Sequence, residues 1–323
     1  MTRGGGVQYI PYLMGVAGYL RKGLEPILLG TRMRWDLSRS DKEGMEFPSL
    51  RKVCCSLGPN RNLTTLVAGM MASHPQCRVL NHAGKRIFPL PEVNFLVDYA
   101  PGTFERFIRY AVYLSDRGKH GLYGGSIEHS HAFETSKMRT LHDSWSPRKE
   151  PASGLRVLYW KESAVLTRYV RENRVSLKDL VKLEPRLCFL MPVRNPLDCA
   201  SSIVKKGRAR LHLGDVSITT VEAAIEAILQ QLAWFLDLRD ACPDNCFTFT
   251  ERDLNRETIV QLAAFLDINC NEEWMSDCLK TWDLKPGYQH APAHVAHYRD
   301  LLERYFDRRP AWRERLSEFA PDS

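Results

Sequence analysis

From Arg51 onward the chain repeats one pattern: a short apolar run, a break at glycine or proline, then apolar positions at helical spacing. Val53-Cys-Cys-Ser-Leu57 is such a run. Gly58-Pro59 breaks it, and Leu63 to Ser73 has the spacing of a helix. Val157-Leu-Tyr-Trp160 is followed by helix-like Ala164 to Arg171. Leu187-Cys-Phe-Leu-Met-Pro-Val193 is followed by Asn195-Pro196 and a helix through Val204. Phe247-Thr-Phe-Thr250 predicts a further strand, with a helix from about Glu257 to Leu266. Strands alternating with helices predict an α/β fold whose parallel sheet is flanked by helices on both faces. Phe104, Phe107, Ile108 and Ala111 mark one more amphipathic helix. The polar stretch beyond it holds Gly118, Gly121, Gly124, Gly125, His120, His129 and His131, and predicts a mobile loop over a site.

Before Arg51 the pattern differs. Val7 to Leu20 is an apolar, aromatic run behind Arg3 and ahead of Arg21-Lys22. It is shorter than the roughly 20 residues of a membrane span and carries Pro11. No small-x-small cleavage signal follows it. Residues 1–50 are therefore expected as an N-terminal helical extension packed on the core, and 51–323 as one α/β domain. A helix lying on a membrane surface, giving peripheral membrane contact, is the alternative for the apolar run.

Composition narrows the function classes. The 323 residues are 44% hydrophobic, enough for a sizeable core, and the net charge of +7 suits an anionic ligand such as a nucleotide. The basic residues are dispersed, which argues against nucleic acid as a partner. Nine cysteines without framework spacing predict reduced thiols in a cytoplasmic protein, and no ligand pair beside Cys242 and Cys246 points to zinc.

The candidate chemistry lies where predicted strands end, the place where parallel sheets bind ligands. Gly58-Pro-Asn-Arg-Asn-Leu-Thr-Thr65 joins a strand to a helix with the outline of a Walker phosphate loop, so the sheet is expected to be of the P-loop type. Thr64 stands at the Walker lysine's position and Leu63 at that of the second glycine. The point charge that meets a triphosphate is thus missing. Arg61 instead offers a planar fork for phosphate or sulfate oxygens. Arg194-Asn-Pro-Leu-Asp-Cys-Ala-Ser-Ser202 begins at another strand end and places a serine two helical turns beyond an arginine, so the two can grip one phosphate.

Together these motifs resemble the sulfotransferase superfamily, closest in spacing to tyrosylprotein-sulfotransferase-like members. Arg61-Asn-Leu-Thr-Thr65 is similar to that family's Arg/Lys-Ser-Gly-Thr-Thr loop, with Asn62 for the serine and Leu63 for the glycine. The resemblance implies that Arg61, Asn62, Leu63, Thr64 and Thr65 hold the 5′-phosphosulfate of 3′-phosphoadenosine-5′-phosphosulfate (PAPS). It likewise implies that Arg194 and Ser202 hold the 3′-phosphate. The expected donor is PAPS, its product 3′-phosphoadenosine 5′-phosphate (PAP), with no metal required. Lys285, in Leu284-Lys-Pro-Gly-Tyr288, is a further expected nucleotide contact.

Sulfuryl transfer needs a base beside the loop and a cation at the oxygen that leaves. In the resembling enzymes a glutamate base follows the loop arginine at the separation found here between Arg61 and His82. An imidazole at that place suits proton removal near neutrality. Lys161, after Val157–Trp160, resembles the strand-end lysine that neutralises charge at the bridging oxygen. The catalytic expectation is therefore His82, Lys161 and Arg61, acting on a hydroxyl-bearing small-molecule, lipid or saccharide acceptor. Two other readings stay open: a small-molecule P-loop kinase, which the missing Walker lysine disfavours, and an inactive nucleotide-binding module, which Leu63 favours. His290, His294 and His297 have spacings that suit one helical face, with Pro292 expected to interrupt it.

Overall fold

In the computed structural model the described residues are 29–118, 124–134, 136–207, 218–281 and 288–320. The chain divides into two units, Met1–Met45 and Glu46–Ser323. Of the first, residues 29–43 form a helix on which the Trp35 ring lies between the guanidinium groups of Arg32 and Arg39, 4.5 and 4.2 Å from its centre. The apolar run Val7–Leu20, His120 and Lys285 lie outside the described residues.

The second unit is built on five strands: β1 (Lys52–Ser56), β2 (Cys77–Asn81), β3 (Val157–Lys161), β4 (Leu187–Val193) and β5 (Cys246–Thr250). They lie in the order β2-β3-β1-β4-β5, and every neighbouring pair is parallel. Register is fixed by pairs such as Cys55 with Trp160, Ser56 with Leu190 and Asn81 with Lys161. The α/β parallel sheet flanked by helices is thus what the structure shows.

Hydrophobic continuity explains it. Every residue of β3 and β4 is buried, as a strand covered on both faces requires. One face, with Cys54, Val79, Tyr159, Leu190 and Phe249, shares a core with helices Thr64–Ser73, Ser136–Trp145, Arg256–Leu266 and Glu272–Thr281. From the other face Trp160, fully buried, meets Phe107 of helix Pro101–Arg117 with ring centres 5.3 Å apart. Each such side chain contributes on the order of 1.5–3 kcal/mol by leaving water.

Local signals fix the helix starts. Asn195 caps helix Pro196–Lys205 by accepting the Leu197 N–H at 3.0 Å, and Pro196 fills the first turn, where its missing N–H costs nothing. Pro292 does the same for helix Pro292–Phe306. It therefore opens the helical face holding His294 and His297 rather than interrupting it.

The described end of the glycine-punctuated stretch is tied to the sheet. Gly125 forms an antiparallel bridge with Asn81, exchanging both backbone hydrogen bonds at 2.9 and 2.7 Å. Gly124 has a φ of 93°, and a Cβ there would stand 1.9 Å from the His82 carbonyl oxygen. Only glycine permits this approach.

Candidate active site

β1 is the central strand, and the chain leaves it toward neighbours on both sides, so a crevice forms beyond the strands' carboxyl ends. The phosphate loop follows β1. Lys161 ends β3 on one side, and Arg194 follows β4 on the other. His82 follows β2, next to β3. Four adjacent strand ends thus bring together residues separated by more than a hundred positions.

The loop is held in an uncommon backbone shape. Gly58 has a φ of 97° and donates its N–H to Thr167 Oγ1 at 2.8 Å. Arg61 and Leu63 both have positive φ, 69° and 60°. Leu63 is the N-cap residue of helix Thr64–Ser73 but supplies no side-chain hydrogen bond, and the first turn holds no acidic residue. The first N–H groups of that helix thus have no side-chain cap, an arrangement that favours an anion. Thr64 is buried, Thr65 half-buried and Arg61 exposed.

Two side chains tie the loop to the neighbouring strands. Asn62, 3% exposed, accepts the Arg194 N–H on its Oδ1 at 2.7 Å. Ser163 Oγ donates to Asn60 Oδ1 at 3.1 Å. The Asn62 side-chain oxygen is thus engaged with backbone.

On the β4 side charge is already paired. Arg194 Nη2 lies 3.4 Å from Asp198 Oδ2, and its Nε lies 3.7 Å from Glu251 Oε2. Asp198 Oδ1 also accepts the Tyr288 N–H, and it lies 2.9 Å from His290 Nε2. Glu251 takes the Asn195 N–H at 3.0 Å, and burial pushes its carboxyl above the ordinary range. Ser202 is buried within helix Pro196–Lys205. His294 pairs with Glu222 at 3.0 Å, away from this cluster.

On the β2–β3 side the groups are titratable. Lys161 Nζ lies 3.0 Å from His82 Nε2 and donates to Asn81 Oδ1 at 3.2 Å. An ammonium can only donate, so in its charged form the His82 nitrogen accepts. Burial lowers Lys161 to about 8, against the opposing charge of Glu162. His82 has a φ of 51° and an exposed side chain. Glu162 is buried, accepts the Gly84 N–H at 2.9 Å and is raised to about 7 by desolvation.

Glu162, Asp198 and Glu251 are site residues that sequence reasoning did not single out. Glu251 had a usable signal, since it follows a predicted strand as Arg194 and Lys161 do.

The residues present would suit an anionic nucleotide: helix Thr64–Ser73 opens with no side-chain cap beside Arg61, Thr64 and Thr65, and Arg194 is oriented by Asp198 and Glu251. No protein-family model matches the chain, and no curated protein matches it in sequence. Solved structures similar in chain path include mouse sulfotransferase SULT7A1 complexed with PAP, at 12% identity and a TM-score of 0.41 over 85% of this chain and 91% of that one. Sulfotransferase STF9 from Mycobacterium avium shows 14% identity and a TM-score of 0.41 over 81% of this chain and 77% of that one. The sulfotransferase domain of the Synechococcus PCC 7002 olefin synthase shows 16% and 0.41 over 86% and 97%.

Proposed function

We propose that this protein is a sulfotransferase that moves the sulfuryl group of PAPS onto a hydroxyl of a small-molecule, lipid or saccharide acceptor. The observation that carries this reading is the meeting of the Gly58–Thr65 loop, Lys161 with His82, and Arg194 at adjacent strand ends. The donor, when bound, supplies the sulfuryl group and the phosphate that leaves. Arg61, Thr64, Thr65 and the first N–H groups of helix Thr64–Ser73 bind and orient the phosphosulfate end. Arg194 and Ser202 hold the 3′-phosphate, with the guanidinium aimed by Asp198 and Glu251. Lys161 places positive charge where the leaving oxygen becomes negative, and His82 takes the acceptor's proton at Nε2 once Lys161 turns from it to that oxygen. Phe88, stacked on Tyr169 at 3.8 Å beside the His82 turn, offers an aromatic wall to the acceptor.

Calorimetry tests the reading directly. PAP is expected to bind without magnesium and at least about tenfold more tightly than ATP, the scale of one charge-assisted hydrogen bond. Magnesium-dependent binding of ATP at equal or higher affinity would instead establish the kinase reading. Leu63 favours a binding-only module, which predicts tight PAP binding and no turnover on a broad acceptor screen with labelled PAPS.

A further inference from the structure

We infer that Glu162 is a positioning residue that holds the His82 turn in place beside Lys161; this rests on the reading of His82 as the base. Adjacent residues of one strand end grip two parts of the same turn. Lys161 reaches Asn81 and His82, while the Glu162 carboxylate takes the N–H of Gly84 at 2.9 Å. The His82 side chain is exposed, so little packing orients it. Its orientation comes from its backbone and from its contacts, the one to Lys161 among them.

That backbone is fixed at both ends. On the amino side, the His82 N–H donates to the Lys161 carbonyl at 3.1 Å, and Asn81 is bridged to Gly125. On the carboxyl side the Gly84 N–H donates to Glu162, and the Ala83 carbonyl accepts the Arg86 and Ile87 N–H groups of the short helix that follows. His82 itself sits at a φ of 51°, a conformation that a non-glycine residue keeps only when its surroundings impose it. Gly84 is shaped to the contact. A Cβ there would stand 3.1 Å from the carboxylate carbon of Glu162 and 2.7 Å from Phe88 Cε2.

Stability does not explain a carboxylate at this place. Glu162 is 5% exposed, and burying it pushes its proton affinity up to about 7. An apolar side chain would avoid that desolvation. The charged groups on the elements around it are Lys161 on its own strand, His82 on the facing turn, and Lys85 and Arg86 on helix Gly84–Ile87. Among these, the positioning role needs the hydrogen bond, and the charge additionally supports a protonated Lys161.

Two substitutions separate placement from bulk folding. Glu162→Gln keeps an oxygen that can accept the Gly84 N–H, whereas Glu162→Ala removes it. Ring resonances of His82, assigned in the histidine-labelled full chain by their loss in His82→Asn, report its placement without donor or acceptor. They are expected to shift in Glu162→Ala and to stay near wild type in Glu162→Gln. Turnover is expected to fall about tenfold or more in Glu162→Ala and within about threefold in Glu162→Gln, with PAP affinity retained in both. Unmoved His82 resonances in a folded Glu162→Ala protein, or equal losses in the two variants, overturn the inference. Should Glu162→Ala not fold, Gly84→Ala presses on the same contact from the other side, and unmoved His82 resonances there also overturn it. Failure of the wild type to bind PAP would refute the sulfotransferase reading while leaving the His82–Glu162 linkage standing.

Discussion

The two sides of the crevice are built differently. Beyond β2 and β3 stand Asn81, His82, Lys161 and Glu162, two of them with proton affinities moved toward neutrality by burial. Beyond β1 and β4 stand a strained backbone loop and an arginine already paired with two carboxylates. The first side is equipped to move protons and meet transient charge. The second is equipped to hold a fixed anion in one orientation. In the proposed reaction, then, substitutions on the β2–β3 side should depress turnover, and those on the β1–β4 side should depress affinity.

The largest expected effect breaks the chemistry alone. His82→Asn removes the proposed base but keeps a residue that tolerates φ of 51°. Turnover should fall by about 10²–10⁴, the usual contribution of a general base, with PAP affinity nearly intact. Near-wild-type turnover in a folded variant, measured where chemistry limits the rate, would remove His82 from the mechanism.

Arg194→Ala is the counterpart on the other side. It deletes a charge-assisted contact and leaves Asp198 and Glu251 facing the anion without their cation. A loss of about 1.5–3 kcal/mol in PAP binding is expected by calorimetry, with the smaller change in turnover at saturating donor. Unchanged affinity would show that its carboxylate partners already consume the arginine's charge, and the 3′-phosphate assignment would fall.

How much of this contrast was legible in the sequence depends on the reach of each contact. β4 was plain, because a central strand buried on both faces reads as seven apolar residues in a row. β2 was not. It is an edge strand, and Arg78 within it pairs with Asp116 and donates to the Glu150 carbonyl, so its pattern is broken. The residues of the proposed binding side could be named from sequence because Arg61, Thr64, Thr65 and Arg194 sit in local motifs. Glu162 was not, because its meaning comes from Gly84, 78 positions away. Asp198 was likewise quoted only as part of a motif; its partner His290 lies 92 positions on.

pH sharpens the comparison. Lys161 must be protonated to meet the leaving oxygen, so turnover should decline above about pH 8 while PAP binding, resting on arginine and backbone, should not. Stability should respond in opposite senses. Between pH 4.5 and about 7 the native state keeps a proton on Glu162 that the unfolded chain has released, so that group's contribution is full in acid and lost as pH rises. Between about pH 8 and 10.5 the unfolded chain holds the Lys161 proton longer, so that group's contribution grows with pH. Thermal unfolding of wild type against Glu162→Gln across pH 4.5–7 isolates the first term. A difference independent of pH would show that Glu162 does not titrate there.

The smallest expected effect concerns Leu63. Its φ of 60° costs an L-residue roughly 1–2 kcal/mol, which Leu63→Gly relieves. Glycine also gives the unfolded chain more freedom, offsetting about 0.5–1 kcal/mol, so net stability should change little. The half-buried leucine is the N-cap residue of helix Thr64–Ser73, and in the proposed donor site its replacement by glycine opens the approach to the helix's first N–H groups. PAP affinity should therefore rise by about threefold, less than one hydrogen bond's worth, with turnover following only if His82 and Lys161 are competent. A rise in affinity with no turnover in either form would favour a nucleotide-binding module over an enzyme. An affinity that falls would mean the leucine supports the loop from below, and the strained turn, rather than the side chain's absence, would be what presents the N–H groups.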